Sequence, residues 1–296
     1  MIAVRTPPDA PPGREGLHLG TSVLMYHDVV EALNADESGF TAGAASSYKV
    51  DADLFREHLD ATMERLGPFS AEPAEANLGR PTSALLLTFD DGGVSAATRV
   101  ADMLEARGLR GLFFVTTDLI GAHGFLTDTQ IRNLRSRGHV IGSHTRSHPK
   151  QMSGMSRQEI RAEWRESIAT LRDVLGEPVN CASVPNGAYS LAVGEEAAAA
   201  GITFLFTSEP TRSRPRVGGC TLVGRFCVRS WSRASWVASV AAGDTLTCRA
   251  AWFSWATKAV VRKLSHSGYV WLRQLLRVKS ARIELDRRSD GEEGSA

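Results

Sequence analysis

Two short motifs carry side chains that together could hold a metal ion and a base. The first is Thr88-Phe89-Asp90-Asp91-Gly92, and the second, further along the chain, is His144-Thr145-Arg146-Ser147-His148. Two adjacent carboxylates and two imidazoles can supply three ligands to one divalent ion and leave one carboxylate as a base. Zinc hydrolase sites take three protein ligands and keep a position open for water, whose pKa the ion lowers towards neutrality. The combination indicates a mononuclear metal hydrolase.

The residues around the aspartate pair predict its position. The apolar run Ala84-Leu85-Leu86-Leu87 predicts a buried parallel strand, and Gly92-Gly93 predicts a sharp turn after it. The carboxylates of Asp90 and Asp91 would then lie at the carboxyl end of a strand, where α/β folds place their chemistry. Adjacent side chains diverge there, so one can bind an ion while the other reaches the water. The alternative is that the pair caps a helix beginning near Ser95.

The histidine pair follows a second predicted strand, His139-Val140-Ile141-Gly142. A spacing of four places both imidazoles on one face of a helical turn, which Pro149 would end, so we expect a short ligand-bearing loop rather than a long helix. The alternative is that His144 and His148 are ordinary surface or core residues among the eight histidines of the chain.

With Tyr26-His27-Asp28-Val29 and Pro185-Asn186-Gly187, these motifs resemble the polysaccharide deacetylase family over roughly residues 20 to 230. The resemblance implies an α/β fold of the irregular, incomplete (β/α) barrel type. It implies that Asp90 acts as the base. It also implies that Asp91, His144 and His148 bind one divalent metal ion, most often zinc.

The third motif departs from the common family pattern. Many members have Arg-Pro-Pro-Tyr-Gly where this chain has Ser183-Val184-Pro185-Asn186-Gly187, so the arginine that orients the base is missing. Our candidate replacement is Arg225 in Gly224-Arg225-Phe226, because a cation would hold the base ionised. A backbone N–H near Asn186 is the candidate donor to the oxyanion. The alternative is that Pro-Asn-Gly forms an ordinary turn.

The acid that protonates the leaving amine comes from a Leu-x-His segment in many relatives. Leu264-Ser265-His266 has this form but lies in a basic, helix-like stretch. His27 directly follows the apolar strand Ser22-Val23-Leu24-Met25-Tyr26, and the chain resembles a permuted branch of the family in which the acid-bearing strand comes first. We therefore predict His27 rather than His266 as the acid, with Asp28 orienting the loop.

Alternating strand and helix signals predict a parallel sheet covered by helices. The predicted strands include Gly111 to Val115, Cys181 to Val184 and Ile202 to Thr207. The predicted helices run from Ser95 to Arg107, from the capping box of Thr127 and Gln130, from the capping box of Ser156 and Glu159, and through the alanine-rich segment before Gly201.

Length and composition indicate one α/β domain with a modest appendage, since the chain has 296 residues of which 43% are hydrophobic. We predict a proline-rich disordered lead-in over 1–16, a catalytic domain over 17–243, a basic amphipathic helical extension over 244–283 and a polar tail over 284–296. The net charge of +1 and the absence of recognisable DNA- or RNA-binding motifs exclude nucleic acid as an expected partner.

The expected location is cytoplasmic. The first residues contain no apolar signal core, and no run of 18 apolar residues follows. The four cysteines form no Cys-x-x-Cys pair, which is typical of reduced thiols. The extension has no acidic residue between Asp244 and Glu284 and interleaves aromatic with basic residues, so it predicts a peripheral contact with an anionic membrane. The alternative is a helix pair packed on the catalytic domain with its Lys and Arg solvated.

The predicted activity is removal of the N-acetyl group from an amino sugar of a glycan or lipid-linked saccharide, with metal-activated water and Asp90 as base. Two alternatives stay open. One is a non-catalytic glycan-binding protein on the same fold, and the other is a hydrolase of a different non-peptide C–N bond.

Overall fold

The computed structural model describes residues 22–31, 36–41, 43, 45–67 and 85–264, with side chains described up to residue 258. The lead-in predicted for 1–16, the polar tail predicted for 284–296, the extension after residue 264 and His266 lie outside these residues. Within the described part of the chain, no helix has both the length and the apolar character needed to span a bilayer.

A curled, nine-stranded sheet forms the centre of the fold. The strands of the protein are β1 Ser22–Tyr26, β2 Asp28–Val30, β3 Lys49–Asp51, β4 Leu85–Phe89, β5 Gly111–Val115, β6 Val140–Ser143, β7 Cys181–Ser183, β8 Phe204–Phe206, β9 Arg216–Val217, β10 Cys220–Val223 and β11 Phe226–Cys227. The strand order of the sheet is β11-β1-β4-β5-β6-β7-β8-β10-β9, and all neighbours are parallel except the antiparallel pair β9 and β10. The other two strands, β2 and β3, form a separate parallel pair.

The connection from β10 to β11 shows why the sheet curls. These strands lie near opposite ends of the strand order, yet only Gly224 and Arg225 join them. Three residue steps span at most about 11 Å, so the two ends of the sheet approach each other there. The fold is therefore an irregular, incomplete (β/α) barrel, which confirms the predicted class.

Helices cover the sheet, and most begin at signals present in the sequence. The predicted capping boxes are both formed, by Thr127 with Gln130 and by Ser156 with Glu159. The helix predicted from Ser95 is divided, because a π-helical turn over Ala96–Val100 precedes a short α-helix. The α-helices are α1 Ala52–Leu66, α2 Ala101–Glu105, α3 Asp128–Ser136, α4 Arg157–Leu175, α5 Leu191–Ala199, α6 Ala234–Ala241 and α7 Thr245–Leu264.

The central strands are continuously apolar because both faces of the sheet are buried. Helices cover one face, and strand side chains such as Leu86, Phe114 and Phe206 pack against one another on the other. Phe89, which directly precedes Asp90, stacks between Tyr26 and Phe113, with ring centroids 5.5 and 5.0 Å away. All three rings are almost completely buried. Removing a buried ring of this kind costs about 3–5 kcal/mol, so this stack fixes the ends of β1 and β4 firmly.

The predicted strand from His139 to Gly142 is shifted by one residue, since β6 begins at Val140. His139 is instead fully buried beside the start of the strand. Its Nδ1 accepts a hydrogen bond from the Gly111 N–H at 3.1 Å, and its Nε2 lies 2.9 Å from Glu105 Oε1. His139 is therefore held by side-chain hydrogen bonds to Gly111 and Glu105 and is not part of the strand that the sequence pattern predicted.

Candidate metal centre and active site

The candidate residues lie at the carboxyl ends of the parallel strands. Asp90 follows β4, His27 follows β1 and His144 follows β6, while Ser183 is the last residue of β7. Main-chain bonds tie these ends together, because the Asp90 N–H donates to the Tyr26 carbonyl at 3.0 Å and the His144 N–H donates to the Val115 carbonyl at 2.8 Å. The fold thus gathers side chains that are far apart in sequence at one end of the barrel.

Asp91, His144 and His148 form a compact group that could hold a metal ion. Each offers one ligand atom, and these atoms lie within 4.8 Å of one another. Asp91 Oδ1 is 3.3 Å from His144 Nε2 and 3.4 Å from His148 Nε2. His144 Nδ1 lies 3.1 Å from the Ser183 carbonyl oxygen, a contact that leaves Nε2 facing the centre. Two imidazoles and one carboxylate fit a zinc site with an open position.

The histidine pair lies in a short loop, as predicted, but the helical turn predicted within it is wrong. The segment is an irregular loop in which Thr145 and His148 are left-handed, with φ of 67° and 57°. The buried carboxylate of Glu163 in α4 accepts from the N–H groups of Arg146 at 3.0 Å and Ser147 at 2.9 Å. These bonds satisfy amides that a helix would otherwise pair internally, so loop geometry brings the imidazoles together.

Backbone strain in the described residues concentrates at this site. The non-glycine residues with positive φ there are Asp91, Thr145, His148 and Asn186. Such conformations cost about 1–3 kcal/mol each and persist where the surroundings enforce them, often at functional sites. Two of the four belong to the ligand group and a third lies between its histidines.

The alternative that the aspartate pair caps a helix is also wrong. The π-helical turn has Ser95 at its N-cap position, and no side-chain capping bond forms there. The carboxylate of Asp90 contacts Arg225, and the carboxylate of Asp91 contacts His144.

Arg225 forms a bidentate ion pair with Asp90 through both terminal nitrogens of its guanidinium group. Nη1 donates to Oδ1 at 2.6 Å and Nη2 donates to Oδ2 at 2.8 Å. Nε donates to the Thr207 carbonyl at 3.1 Å, and Ser183 Oγ donates to Asp90 Oδ1 at 3.2 Å. The arginine is fully buried, with its charge 5.5 Å from the ring centroid of Phe114. Arg225 is thus in direct contact with Asp90, the contact that its predicted role requires.

Gly224 allows this placement. A Cβ there would lie 2.5 Å from the carbonyl oxygens of both Glu209 and Thr211. A larger residue would force the segment away, so the pair Gly224-Arg225 acts as one structural unit.

The charges of the site shift the pKa values of its acids and of His144. Burial raises the pKa of Asp90, but the charges of Arg225 and His144 outweigh it and hold that pKa below its ordinary value. Burial also raises the pKa of Asp91, but hydrogen bonds from His144 and His148 hold that pKa well below its ordinary value. Burial lowers the pKa of His144, but the two carboxylates bring it above its ordinary value. Both carboxylates are therefore ionised and attract a cation.

His27 is a partly buried imidazole against the ring of Tyr48, with centroids 4.3 Å apart. The Arg229 guanidinium lies 3.8 Å from the Tyr48 centroid. Burial lowers the pKa of His27 to about 4, and the charges of Asp91 and Asp90 oppose this shift. Its Nδ1 is buried and has no hydrogen-bond partner among the described residues. The ring is neutral at pH 7 and has a nitrogen available for another group.

Asp28 holds a loop rather than facing the ligand group. Its carboxylate accepts from Ser38 Oγ and, at 2.8 Å, from Ser95 Oγ. The loop positions Phe40, whose ring centroid is 4.9 Å from that of His148 and 5.3 Å from that of Phe125. Asp28 thus supports an aromatic wall beside one candidate ligand.

Asn186 lies in a short turn after β7 and its side chain is exposed. Its Nδ2 donates to the carbonyl oxygen of Pro149 at 3.5 Å, directly after His148. The turn therefore borders the ligand group, on the side of His148.

Sequence reasoning assigned no role to Phe40, Tyr48 or Ser183. The two aromatic residues lie in segments without a periodic pattern, so no local signal marked them. Ser183 could have been found, because it occupies the position of the missing motif arginine and a hydroxyl there can reach the same carboxylate.

Comparison with known proteins finds a family match over part of the chain. A model of the polysaccharide deacetylase family matches residues 78–205, a range that contains the aspartate pair, both histidines and the Pro-Asn-Gly turn. Residues 78–205 of this chain belong to the polysaccharide deacetylase family.

Two curated relatives and one solved structure describe its place in the family. YxkH of Bacillus subtilis, whose name provisionally assigns it to the polysaccharide deacetylases, is 24% identical over 194 residues, which is 64% of each chain. The peptidoglycan-N-acetylglucosamine deacetylase PgdA of Listeria monocytogenes is 28% identical over 155 residues, which cover 52% of this chain and 32% of PgdA. The chain thus spans less than two thirds of either relative.

The solved structure is that of the Streptococcus pyogenes deacetylase PplD in complex with acetate. It shares 21% identity and superposes with a TM-score of 0.60 over 73% of this chain and 95% of that one. The likeness shows that the two proteins share a fold.

Substituting a member of the ligand group is expected to weaken zinc binding more than about 100-fold, since even partners outside the ligand set change affinity by 10–100-fold. The variants are Asp91→Asn, His144→Ala and His148→Ala. Zinc content after dialysis against a competing chelator measures the effect. His123→Ala, which alters an exposed histidine, should bind zinc as the wild type does. Full zinc content in both His144→Ala and His148→Ala would contradict the ligand assignment.

Proposed function

We propose that the chain removes the N-acetyl group from an amino sugar of a glycan or lipid-linked saccharide, with one divalent metal ion, zinc, at Asp91, His144 and His148. The observation that carries this proposal is the buried base: Asp90 is gripped by Arg225 and lies beside a group of metal-ligating side chains. The relative PgdA, a peptidoglycan-N-acetylglucosamine deacetylase, supports an N-acetylated amino sugar as the substrate class.

The roles of the residues follow from their charges and positions. A zinc ion at the three ligands would lower the pKa of a water molecule and polarise the acetamide carbonyl. Asp90, kept ionised and aimed by Arg225, takes the proton of the attacking water. A backbone N–H near Asn186 donates to the oxyanion. Cleavage of the C–N bond releases acetate, and the nitrogen gains a proton to become a free amine.

His27 is the proposed donor of that proton. Its pKa of about 4 makes the imidazole neutral before the reaction, so during turnover it must take up a proton from solvent, which it then gives to the leaving nitrogen, while Asp90 later releases the proton of the attacking water to solvent. Negative charge on the reacting acetamide would raise this pKa, as the charges of Asp91 and Asp90 already do. No hydrogen bond to the described residues occupies Nδ1, so this nitrogen is not already committed to another partner.

His27→Ala is expected to lower turnover of amide substrates by about 10²–10⁴-fold, the usual contribution of a general acid. Activated esters should lose much less, because a good leaving group needs little protonation. His266→Ala is the control and should keep nearly full turnover. If His27→Ala retains amide turnover within a few-fold, His27 is not the acid, and Asp90 would give the proton of the attacking water to the leaving nitrogen. If His266→Ala is the impaired variant, the permuted arrangement is wrong.

The non-catalytic alternative loses its main support. That support was the missing arginine of the third motif, and Arg225 supplies an arginine contact to Asp90 from the connection between β10 and β11. Hydrolysis of a different non-peptide C–N bond keeps the same site, so substrate assays must separate it.

The deciding experiment measures acetate released by the zinc-loaded protein from N-acetylglucosamine oligomers. Small acyclic amides and cyclic imides serve as competing substrate classes. Release from the oligomers that a chelator abolishes and zinc restores supports the proposal. Turnover of an imide alone would show that the protein hydrolyses a different non-peptide C–N bond. Glycan binding without any turnover would show that it is a non-catalytic glycan-binding protein.

The predicted cytoplasmic location stays a prediction, which fractionation of cells expressing the full chain would check.

A further inference from the structure

Helix α7 presents large apolar side chains to solvent. Among the described residues, the large hydrophobic side chains with high exposure are Leu191 at 60%, Leu246 at 78% and Phe253 at 63%. Leu246 and Phe253 both lie on α7 and are seven residues apart, which places them within about 20° of each other around the helix. One exposed leucine is ordinary, but two such residues on one face form a ridge. We call Leu246 and Phe253 the apolar ridge.

The ridge is not the face through which α7 packs on the domain. Cys248 and Ala251 make that contact, against the core that includes Val237 and Val240 of α6. At 3.6 residues per turn, these two positions lie on the side of α7 roughly opposite the ridge. Helix α7 therefore packs on the domain through one face and exposes a second apolar face, the apolar ridge, to solvent.

The charged residues in the sequence of α7 are all basic. Arg249 is exposed between the two ridge residues along the helix. The sequence has no acidic residue between Asp244 and Glu284. Its basic residues in that interval are Arg249, Lys258, Arg262, Lys263, Arg273, Arg277, Lys279 and Arg282. A second copy of this chain would bring the same positive charges to the contact and be repelled.

We propose that α7 docks on an anionic lipid surface, with Leu246 and Phe253 inserted at the headgroup boundary and Arg249 contacting the lipid phosphates. An amphipathic helix binds in this way when apolar burial and attraction to anionic lipid act together. Each basic residue near the surface adds about 1 kcal/mol, or about fivefold in affinity. The proposal does not depend on the deacetylase activity, because lipid binding is measured without substrate.

Co-sedimentation of the full chain with vesicles tests the proposal. Vesicles of phosphatidylcholine with about one third phosphatidylserine are compared with phosphatidylcholine alone, at low and at high salt. The wild type should bind the anionic vesicles at low salt and lose affinity at high salt. Absence of binding to anionic vesicles at low salt overturns the proposal. A concentration-dependent dimer without vesicle binding would overturn it in favour of a second copy as the occupant.

Matched variants identify the surface. Leu246→Ser with Phe253→Ser is expected to weaken vesicle binding about tenfold or more, and Arg249→Glu at least about fivefold. Leu191→Ser removes the other exposed leucine and Arg165→Glu reverses an exposed charge on α4, and both should bind as the wild type does. Thermal unfolding confirms that each variant is folded. Equal binding by all variants would show that α7 is not the docking surface.

Discussion

Replacing Asp90 by asparagine is expected to lower kcat by about 10²–10⁴-fold while zinc content stays close to that of the wild type. The change removes the proton acceptor but leaves the proposed ligands Asp91, His144 and His148 in place. Because the substrate still binds, the loss should appear mainly in kcat rather than in KM. Steady-state kinetics on N-acetylglucosamine oligomers, with zinc measured on the same samples, checks both halves of the expectation.

The matched control is Asp91→Asn, which changes the neighbouring carboxylate by the same atoms. It should lose zinc and activity together, and added zinc should restore only part of the activity. Loss of zinc in Asp90→Asn with normal zinc in Asp91→Asn would reverse the division of roles within the pair.

Asp90→Asn also disturbs a buried ion pair, and this must be separated from catalysis. The Arg225 guanidinium is fully buried and makes both of its forked bonds to Asp90. An amide cannot balance that charge, so the variant should be less stable. Kinetic constants should therefore be taken well below the unfolding transition, where the protein is fully folded.

Elements governed by local signals could be predicted from the sequence. The bounds of β1 and β5 are those expected from their apolar runs, and both capping boxes form as expected. The aspartate pair lies at a strand end because the apolar run and the two glycines are adjacent to it in the chain. In each case the residues that decide the structure are neighbours in sequence.

Features decided by distant residues could not be predicted in the same way. The loop from His144 to His148 depends on Glu163, whose carboxylate bonds the loop amides from a different helix. Tyr48 lies beside His27 because β2 and β3 pair, which no motif indicated. The resemblance to a family supplied the candidate site residues, but only the fold shows how long-range contacts position them.

Arg225 was a candidate from chemistry alone, and its substitution should have the second large effect. Arg225→Met leaves Asp90 buried without its cation, which typically costs about 3–5 kcal/mol of unfolding free energy. The folded-state pKa of Asp90 lies below its ordinary value, so the pair stabilises the protein at neutral pH and that stability is lost on acidification. Urea unfolding near pH 7 measures the loss. Arg172→Met, at a pair whose side chains are 60% and 71% exposed, should change stability by about 1 kcal/mol or less.

A merely structural arginine would lower stability without moving the titration of the base, and the pH profile distinguishes the two roles. Burial is the largest influence on the pKa of Asp90 and raises it, so removal of Arg225 should let that pKa rise. The acid limb of kcat/KM should then shift to higher pH in Arg225→Met. Arg225→Lys keeps a charge but not the fork, so its shift and its loss of stability should be intermediate. An unshifted acid limb in Arg225→Met would show that Arg225 supports the fold without tuning the base, because the carboxylate that titrates would then be insensitive to a charge 2.6 Å away.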